Sequence, residues 1–465
     1  MYFWNLNHPP AKIALIQAET DRICTYGQLQ TIVNKIAAEI HHNRKTLGFI
    51  FCKNNLASIS CYLAALQQKQ SVYLLDANLE HSFVSNLIEA YRPDWLWLPE
   101  EHEKYQDFEV TFSTDGYALQ IKTILQNEPA IYSELALLLT TSGSTGSPKL
   151  VRLSYGNLQA NADSIAEYLM LTSEERPITT LPMHYSYGLS VINSHLNTGA
   201  TLLLTDDSLM TETFWSFFQR HGATSMAGVP YTYQMLFRLQ FSNMKLPSLK
   251  TMTQAGGRLD INLQKFFANQ AGKQNIRFFV MYGQTEATAR MSYVPQDKLL
   301  DNLGSIGVAI PKGTFEIDET NSELIYYGPN VMLGYAESRE DLALGDILQG
   351  KLATGDIARM DAATGLFYIT ARKKRFLKLV GQRVNLDEIE QTLENLCQTN
   401  CYCIGSDDHL IVILSNADLL SNVKLALSQH LKIHSTLFTI KVETDIPHLP
   451  TGKTDYQELQ KRFLE

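Results

Sequence analysis

Between residues 140 and 149 the chain sets Thr140, Thr141, Ser142, Ser144, Thr145 and Ser147 around Gly143 and Gly146, and closes with Pro148 and Lys149. Hydroxyls and backbone N–H groups in such a loop can surround phosphate oxygens, and a lysine adds charge against the same anion. The two glycines let the backbone turn tightly and approach the anion closely. The spacing is not that of the ordinary phosphate loop. That pattern needs a lysine directly after a glycine five residues beyond the first, and Pro148 holds that place here. The same residues also fit a flexible Ser- and Gly-rich surface loop. The apolar run before the loop, Leu135–Leu139, predicts a buried strand.

Other residues of chemical interest cluster at predicted strand ends. A strand over 249–254 runs into Ala255-Gly256-Gly257, and one over 277–281 runs into Tyr282-Gly283-Gln284-Thr285-Glu286. In open parallel sheets, ligands collect beyond the carboxyl ends of the strands, so these segments and the hydroxyl loop could share one crevice. Further on come Thr354-Gly355-Asp356 and a basic stretch with Arg372, Lys373, Lys374, Arg375 and Lys378. Near the end, Pro450-Thr451-Gly452-Lys453 forms a loop. Cys397, Cys401 and Cys403 lie close together, but no neighbouring pair has the two-residue gap of common zinc sites, so structural thiols are expected.

The elements that must position these groups follow from periodicity. Thr25, with Gln28 as its capping-box partner, predicts a helix whose apolar stripe is Leu29, Ile32, Val33, Ile36, Ala37 and Ile40. Strands at 47–52, 71–75 and 94–98 alternate with helices at 55–68 and 82–90, the pattern of a parallel sheet with helical crossovers. Ser154 predicts a helix to about 170. Strands are expected at 198–205 and 223–229, with an aromatic-rich helix between them, and short strands and turns over 305–335. In the last ninety or so residues, a helix capped by Asn385 runs to about 396 and strands span 402–404 and 410–414 around an Asp407-Asp408 turn. A helix over 418–431, a strand over 437–442 and a short terminal helix complete a small α+β pattern.

A chain of 465 residues is too long for one core. Its net charge of −9 disfavours a general nucleic-acid binder. No apolar run reaches membrane-spanning length, and the start, MYFWNLNHPP, lacks the pattern of a secretion signal, so a cytoplasmic location is expected.

Taken in order, several segments resemble the adenylate-forming superfamily of acyl- and aryl-CoA synthetases, peptide-synthetase adenylation domains and luciferases, most nearly the acyl-CoA synthetases. They are Thr25-Tyr26-Gly27-Gln28-Leu29, the loop Thr140–Lys149, Tyr282–Glu286, Thr354–Asp356 and Pro450–Lys453. The resemblance covers nearly the whole chain. It implies an α/β fold: a large N-terminal domain of parallel-sheet α/β layers plus a β-rich subdomain (1–373), and a small mobile α+β C-terminal domain (374–465). It also implies a reaction. A carboxylic acid attacks the α-phosphorus of ATP, pyrophosphate leaves, and a thiol takes the acyl group from the acyl-adenylate.

The resemblance assigns roles residue by residue. Thr141, Ser142, Gly143, Ser144, Thr145, Gly146 and Lys149 would cradle phosphates. Glu286 would hold Mg²⁺, Thr285 would donate to the α-phosphate, and Tyr282 with Gly283 would face adenine. Gly256 and Gly257 would line the adenine and acyl crevice. Asp356 and Arg372 would contact the ribose, although the family's glycine before that arginine is Ala371 here. Lys374 matches the hinge. Lys453 would serve adenylation, and Lys378 and Gly381 would enter the crevice for thioester formation. His184, Ser186 and Gly188 match the acyl-pocket segment. Ser186 stands where amino-acid adenylating enzymes carry an aspartate. A neutral hydroxyl compensates a buried ammonium poorly, which favours a fatty or aryl acid over an amino acid. Coenzyme A is the expected thiol; the pantetheine of an acyl carrier protein is the alternative. A non-catalytic nucleotide-binding protein is the competing class, and intact Glu286, Asp356 and Lys453 weigh against it.

Overall fold

The computed structural model describes residues 2–102, 105–123, 128–140, 149–373, 375–379, 382–397, 399–406, 409–430, 433–449 and 453–464, with the backbone alone at 376, 378, 382, 383, 385, 388, 391, 395 and 430. Two large sheets dominate. One has eight strands and the other nine. In the first, Leu135–Thr140, Ser71–Asp76, Leu47–Cys52 and Trp95–Pro99 pair in parallel, and all but the ends are buried. Strands covered on both faces read as continuous apolar runs, which is why they are legible in the sequence. In the second, Thr251–Gln254 and Arg277–Tyr282 pair in parallel with each other, and Thr251–Gln254 pairs in parallel with Ser225–Gly228.

A layer of helices fills the space between the sheets. The core here combines Leu29, Val33 and Ile36 of the helix Tyr26–Glu39 with residues of both sheets, including Ile50, Leu74, Leu15 and Leu202. Thr25 caps that helix, with Gln28 answering in a capping box, as its spacing predicts. Ser154 caps Tyr155–Tyr168 in the same way, with Asn157 as partner.

The expected strand over 198–205 is shorter, Leu202–Leu204. The helix Ser186–Thr198 occupies its start and ends on Gly199 at φ 73°, a left-handed cap that costs glycine little. A four-stranded antiparallel sheet follows, built from Thr314–Ile317, Glu323–Tyr327, Lys351–Met360 and Phe367–Arg372. Ala371 lies within its last strand, paired with Ile357 and buried, so no turn glycine is needed there.

The C-terminal part forms a three-stranded sheet of Cys401–Ser406, His409–Leu414 and Phe438–Val442 under the helix Leu386–Cys397. Ile389 of that helix packs with Leu393, Cys401 and Cys403 in a separate core. All six cysteines are unbridged and buried. The helix expected over 418–431 is irregular: a 3₁₀ turn at Ala417–Leu419, an α-helix at Leu420–Leu425 and a π turn at Ala426–His430. The Asp407-Asp408 turn lies outside the described residues. Among the described residues no helix is long and apolar enough to cross a membrane.

Candidate active site

The segment Gln284–Arg290 is the hub. It leaves the strand Arg277–Tyr282, makes a tight turn at Thr285–Ala287, and passes through Thr288 at φ 65°. Gly283 is required by close approach, since a β-carbon there would fall 1.8 Å from the Ala289 carbonyl oxygen. Buried Asn330 holds the turn from behind. Its amide donates to the carbonyls of Ala287 and Arg290, each at 2.8 Å, and its carbonyl accepts from the Tyr326 hydroxyl. Thr288 donates to the Asn330 backbone at 2.7 Å.

On this turn Thr285 and Glu286 face different neighbours. The Thr285 hydroxyl lies 3.1 Å from that of Ser186, at the start of the helix Ser186–Thr198. Glu286 accepts from the Tyr335 hydroxyl at 2.8 Å, and the Lys149 ammonium stands 3.9 Å from the Tyr335 ring centre. The far end of the hydroxyl loop is thereby linked to Glu286. The loop residues Thr141, Ser142, Gly143, Ser144, Thr145 and Gly146 lie outside the described residues, as do Lys374 and Gly381. Lys378 is described by its backbone alone, in the strand Phe376–Leu379 opposite Arg383.

Asp356 is the second carboxylate. Antiparallel register sets it directly across from Arg372, whose Nε lies 3.4 Å from its Oδ1. Tyr282 and Gln284 both donate to its Oδ2. Burial raises the Asp356 carboxyl above the ordinary range, while Arg372 and the two hydrogen bonds oppose the rise. Tyr282 is thus tied to Asp356 through its hydroxyl.

Lys453, from the far end of the chain, reaches the same place. Burial and the Arg372 charge pull its ammonium down to about 8, while Glu286 and Asp356 act in the opposite direction. Such coupling places the ammonium in the same desolvated crevice as these charges. The C-terminal part also touches the larger part elsewhere: His448 packs on Tyr231 at 5.2 Å, and Arg258 lies 3.9 Å from Glu394.

The acyl-pocket segment divides. Ser186 meets Thr285. His184 is mostly buried, and burial lowers its imidazole pKa, with Asp76 opposing; its Nδ1 has no hydrogen-bond partner among the described residues. Gly188 sits against the turn before it. A β-carbon there would fall 2.2 Å from the Pro182 carbonyl oxygen. Gly256 adopts φ 84° under the Tyr185 hydroxyl, which a β-carbon would meet at 2.7 Å. Gly257 accepts from the Gln254 amide at 2.8 Å.

This donor set fits a nucleotide triphosphate. Lys149, Arg372 and Lys453 supply positive charge around two carboxylates. Among the described residues no three His, Cys, Asp or Glu side chains converge to hold a metal. A cation at Glu286 would therefore take the rest of its shell from phosphates and water, the arrangement Mg²⁺ ordinarily adopts. Tyr335, Asn330 and Gln284 escaped the sequence reading. Gln284 alone carried a signal, as the variable position inside Tyr282–Glu286.

The layered α/β fold with its small C-terminal part is that of adenylate-forming enzymes of the acyl-CoA synthetase kind. The chain belongs to the AMP-binding enzyme family, whose model matches residues 2–336. It is 25% identical over 399 residues to a 2-succinylbenzoate–CoA ligase of Bacillus cereus, covering 81% of this chain and 79% of the relative. It is 29% identical over 318 residues to a long-chain-fatty-acid–CoA ligase of Bacillus subtilis (strain 168), but that match spans 64% of this chain and 55% of the relative's length. The solved o-succinylbenzoate CoA synthetase of Bacillus subtilis, in complex with its acyl-adenylate intermediate, superposes with a TM-score of 0.78 at 21% identity, covering 99% of this chain and 98% of that one.

Proposed function

We propose that this chain is an AMP-forming acid–thiol ligase that joins a carboxylic acid to the α-phosphorus of ATP and passes the acyl group to coenzyme A. The observation that carries the reading is that buried Lys453, from the C-terminal part, feels the charges of Glu286, Asp356 and Arg372 in one crevice. A compact ammonium between an incoming carboxylate and an α-phosphate lowers the repulsion between two anions, and its effect is largest where charge develops. Thr285 donates a hydrogen bond to the same phosphate, and Asp356 accepts from the ribose hydroxyls. Lys149 and the loop before it hold the outer phosphates. A magnesium ion bound by Glu286 would supply further neutralisation of phosphate charge. Residues 374–465 act as a mobile domain, with Lys374 at its hinge, and bring Lys378 and Gly381 to the crevice for thiolysis.

The acid is a fatty or aryl acid: Ser186, standing where amino-acid adenylating enzymes carry an aspartate, would leave a substrate ammonium poorly compensated. The test is isotope exchange between pyrophosphate and ATP with a panel of carboxylic acids, followed by product analysis with coenzyme A. Exchange that depends on the acid, and acyl-CoA formed with coenzyme A alone, support the reading. No exchange with any acid ends it. Exchange without acyl-CoA transfers the acceptor role to a carrier protein.

A further inference from the structure

We propose that Asp387 is a positioning residue for the adenylation step: it clasps the C-terminal part to the strand end at Arg372, and so keeps Lys453 in the crevice until thiolysis. The inference rests on the ligase reading above and adds to it a residue outside the crevice. Asp387 touches neither nucleotide nor acid. It acts through the backbone on either side of the hinge.

Lys373 and Arg375 are anchored to different parts of the molecule. Lys373 faces Glu323 at 2.7 Å, and Glu323 also accepts from the Gly355 backbone N–H at 3.0 Å. Glu323 is buried in the strand Glu323–Tyr327 of the four-stranded sheet, so Lys373 belongs with the larger part. Arg375 faces Glu390 of the helix Leu386–Cys397 at 2.8 Å and donates to the Cys403 carbonyl at 2.8 Å, so it belongs with the C-terminal part. These two anchors confine any turn of one part against the other to the backbone between them.

Asp387 spans that boundary. Its Oδ1 accepts from Arg375, and its Oδ2 accepts from the Arg372 backbone N–H at 2.9 Å. Hydrogen bonds to an ionised carboxylate are the strong ones. A turn between Lys373 and Arg375 carries Asp387 along with Arg375 and leaves Arg372 behind. The bond to Arg372 therefore belongs to this pose, in which Lys453 shares the crevice with Glu286 and Asp356. A second set of contacts ties the clasp to the chain near Lys453. The Arg375 guanidinium lies 3.9 Å from the centre of the Tyr456 ring, and the Tyr456 hydroxyl donates to both Glu390 oxygens at 3.1 Å. Tyr456 is three residues beyond Lys453.

The test separates the two half-reactions of the full-length protein. Pyrophosphate–ATP exchange with benzoate, cinnamate, hexanoate and octanoate reads adenylation. Thiolysis is read with the matching synthetic acyl-adenylate and coenzyme A, or pantetheine where coenzyme A gives no product. Asp387→Ala should lower exchange roughly tenfold, the scale of one hydrogen bond to a charged acceptor, and leave thiolysis within about twofold. Asp387→Asn keeps an acceptor for the Arg372 N–H and should retain most of the exchange. Both rates come from one preparation, so partial unfolding lowers them together and leaves their ratio unchanged. Equal loss of exchange and thiolysis in Asp387→Ala overturns the inference and leaves the ligase reading intact. So does equal loss of exchange in the Ala and Asn variants, which would assign the effect to the carboxylate charge beside Arg372. Exchange with no acid of the panel removes the ligase reading and this inference together.

Discussion

Two regions of paired charge meet at Arg372. On one side lies the crevice of Glu286, Asp356, Arg372 and Lys453, where charges of both signs come from distant parts of the chain and offset one another. On the other side lies the cluster of Asp387, Arg375 and Glu390, where hydrogen bonds join each acid to the arginine and Asp387 reaches back to the Arg372 backbone. A balanced crevice can rearrange its pairs around a polyanion without leaving any charge bare. A cluster joined by directed hydrogen bonds keeps one geometry. The first arrangement suits the binding of a nucleotide and the second the holding of a pose.

The largest expected effect removes a charge from the crevice. Lys453→Ala should lower acid-dependent exchange by about 100- to 1,000-fold, the scale of losing one preorganised charge at a transition state. Circular dichroism should show an unchanged fold. An active Lys453→Ala protein would mean that the crevice does not use its cation. Asp356→Asn should act on the nucleotide, raising the KM for ATP by roughly tenfold to a hundredfold, since hydrogen bonds to a charged acceptor are worth about 1.5–3 kcal/mol. Next comes the cluster: Asp387→Ala should lower exchange roughly tenfold and spare thiolysis. A matching rise in the KM for ATP from that variant would break the division between the two regions.

Proton concentration probes the same balance. The role proposed for Lys453 needs its ammonium form, and burial and the Arg372 charge pull that ammonium down to about 8 in the free protein. Acid-dependent kcat/KM, which reports the free enzyme, should therefore fall as pH rises through about 8, toward a tenfold loss per unit. Lys453→Arg should move that break to higher pH, because a guanidinium keeps its proton. A wild-type profile that stays flat to pH 10 would separate Lys453 from the reaction.

Much of the crevice was legible because its residues sit in short segments with strict local requirements. Gly283 has no room for a β-carbon, and Asp356 and Arg372 are set by strand register. Buried parallel strands such as Leu47–Cys52 were legible because covering both faces makes the whole run apolar. The cluster was not legible. Nothing periodic marks Asp387, and its meaning depends on Arg372 and Arg375, which lie across an intervening strand pair. The helix Ser186–Thr198 was missed for a related reason: it is buried nearly all round, so it shows no amphipathic stripe. Gly188, expected in the acyl pocket, has no room for a β-carbon beside the Pro182 carbonyl.

The smallest expected effect concerns a second tether of the C-terminal part. Arg258 follows Gly257, and its guanidinium lies 3.9 Å from Glu394 on the helix Leu386–Cys397. Their side chains are 42% and 28% exposed, so the pair contributes no more than about 1 kcal/mol. Burial lifts the Glu394 carboxyl to about 7, with Arg258 opposing and Glu390 and Asp260 adding to the rise. Above that pH the carboxylate is ionised and the pair exists; below it the group is protonated and the pair is gone. Arg258→Ala should therefore slow exchange by less than about fivefold at pH 8 and leave it unchanged at pH 6. An equal loss at both pH values would show that Arg258 acts on the acid or the nucleotide through the neighbouring glycines, and that the tether is something else.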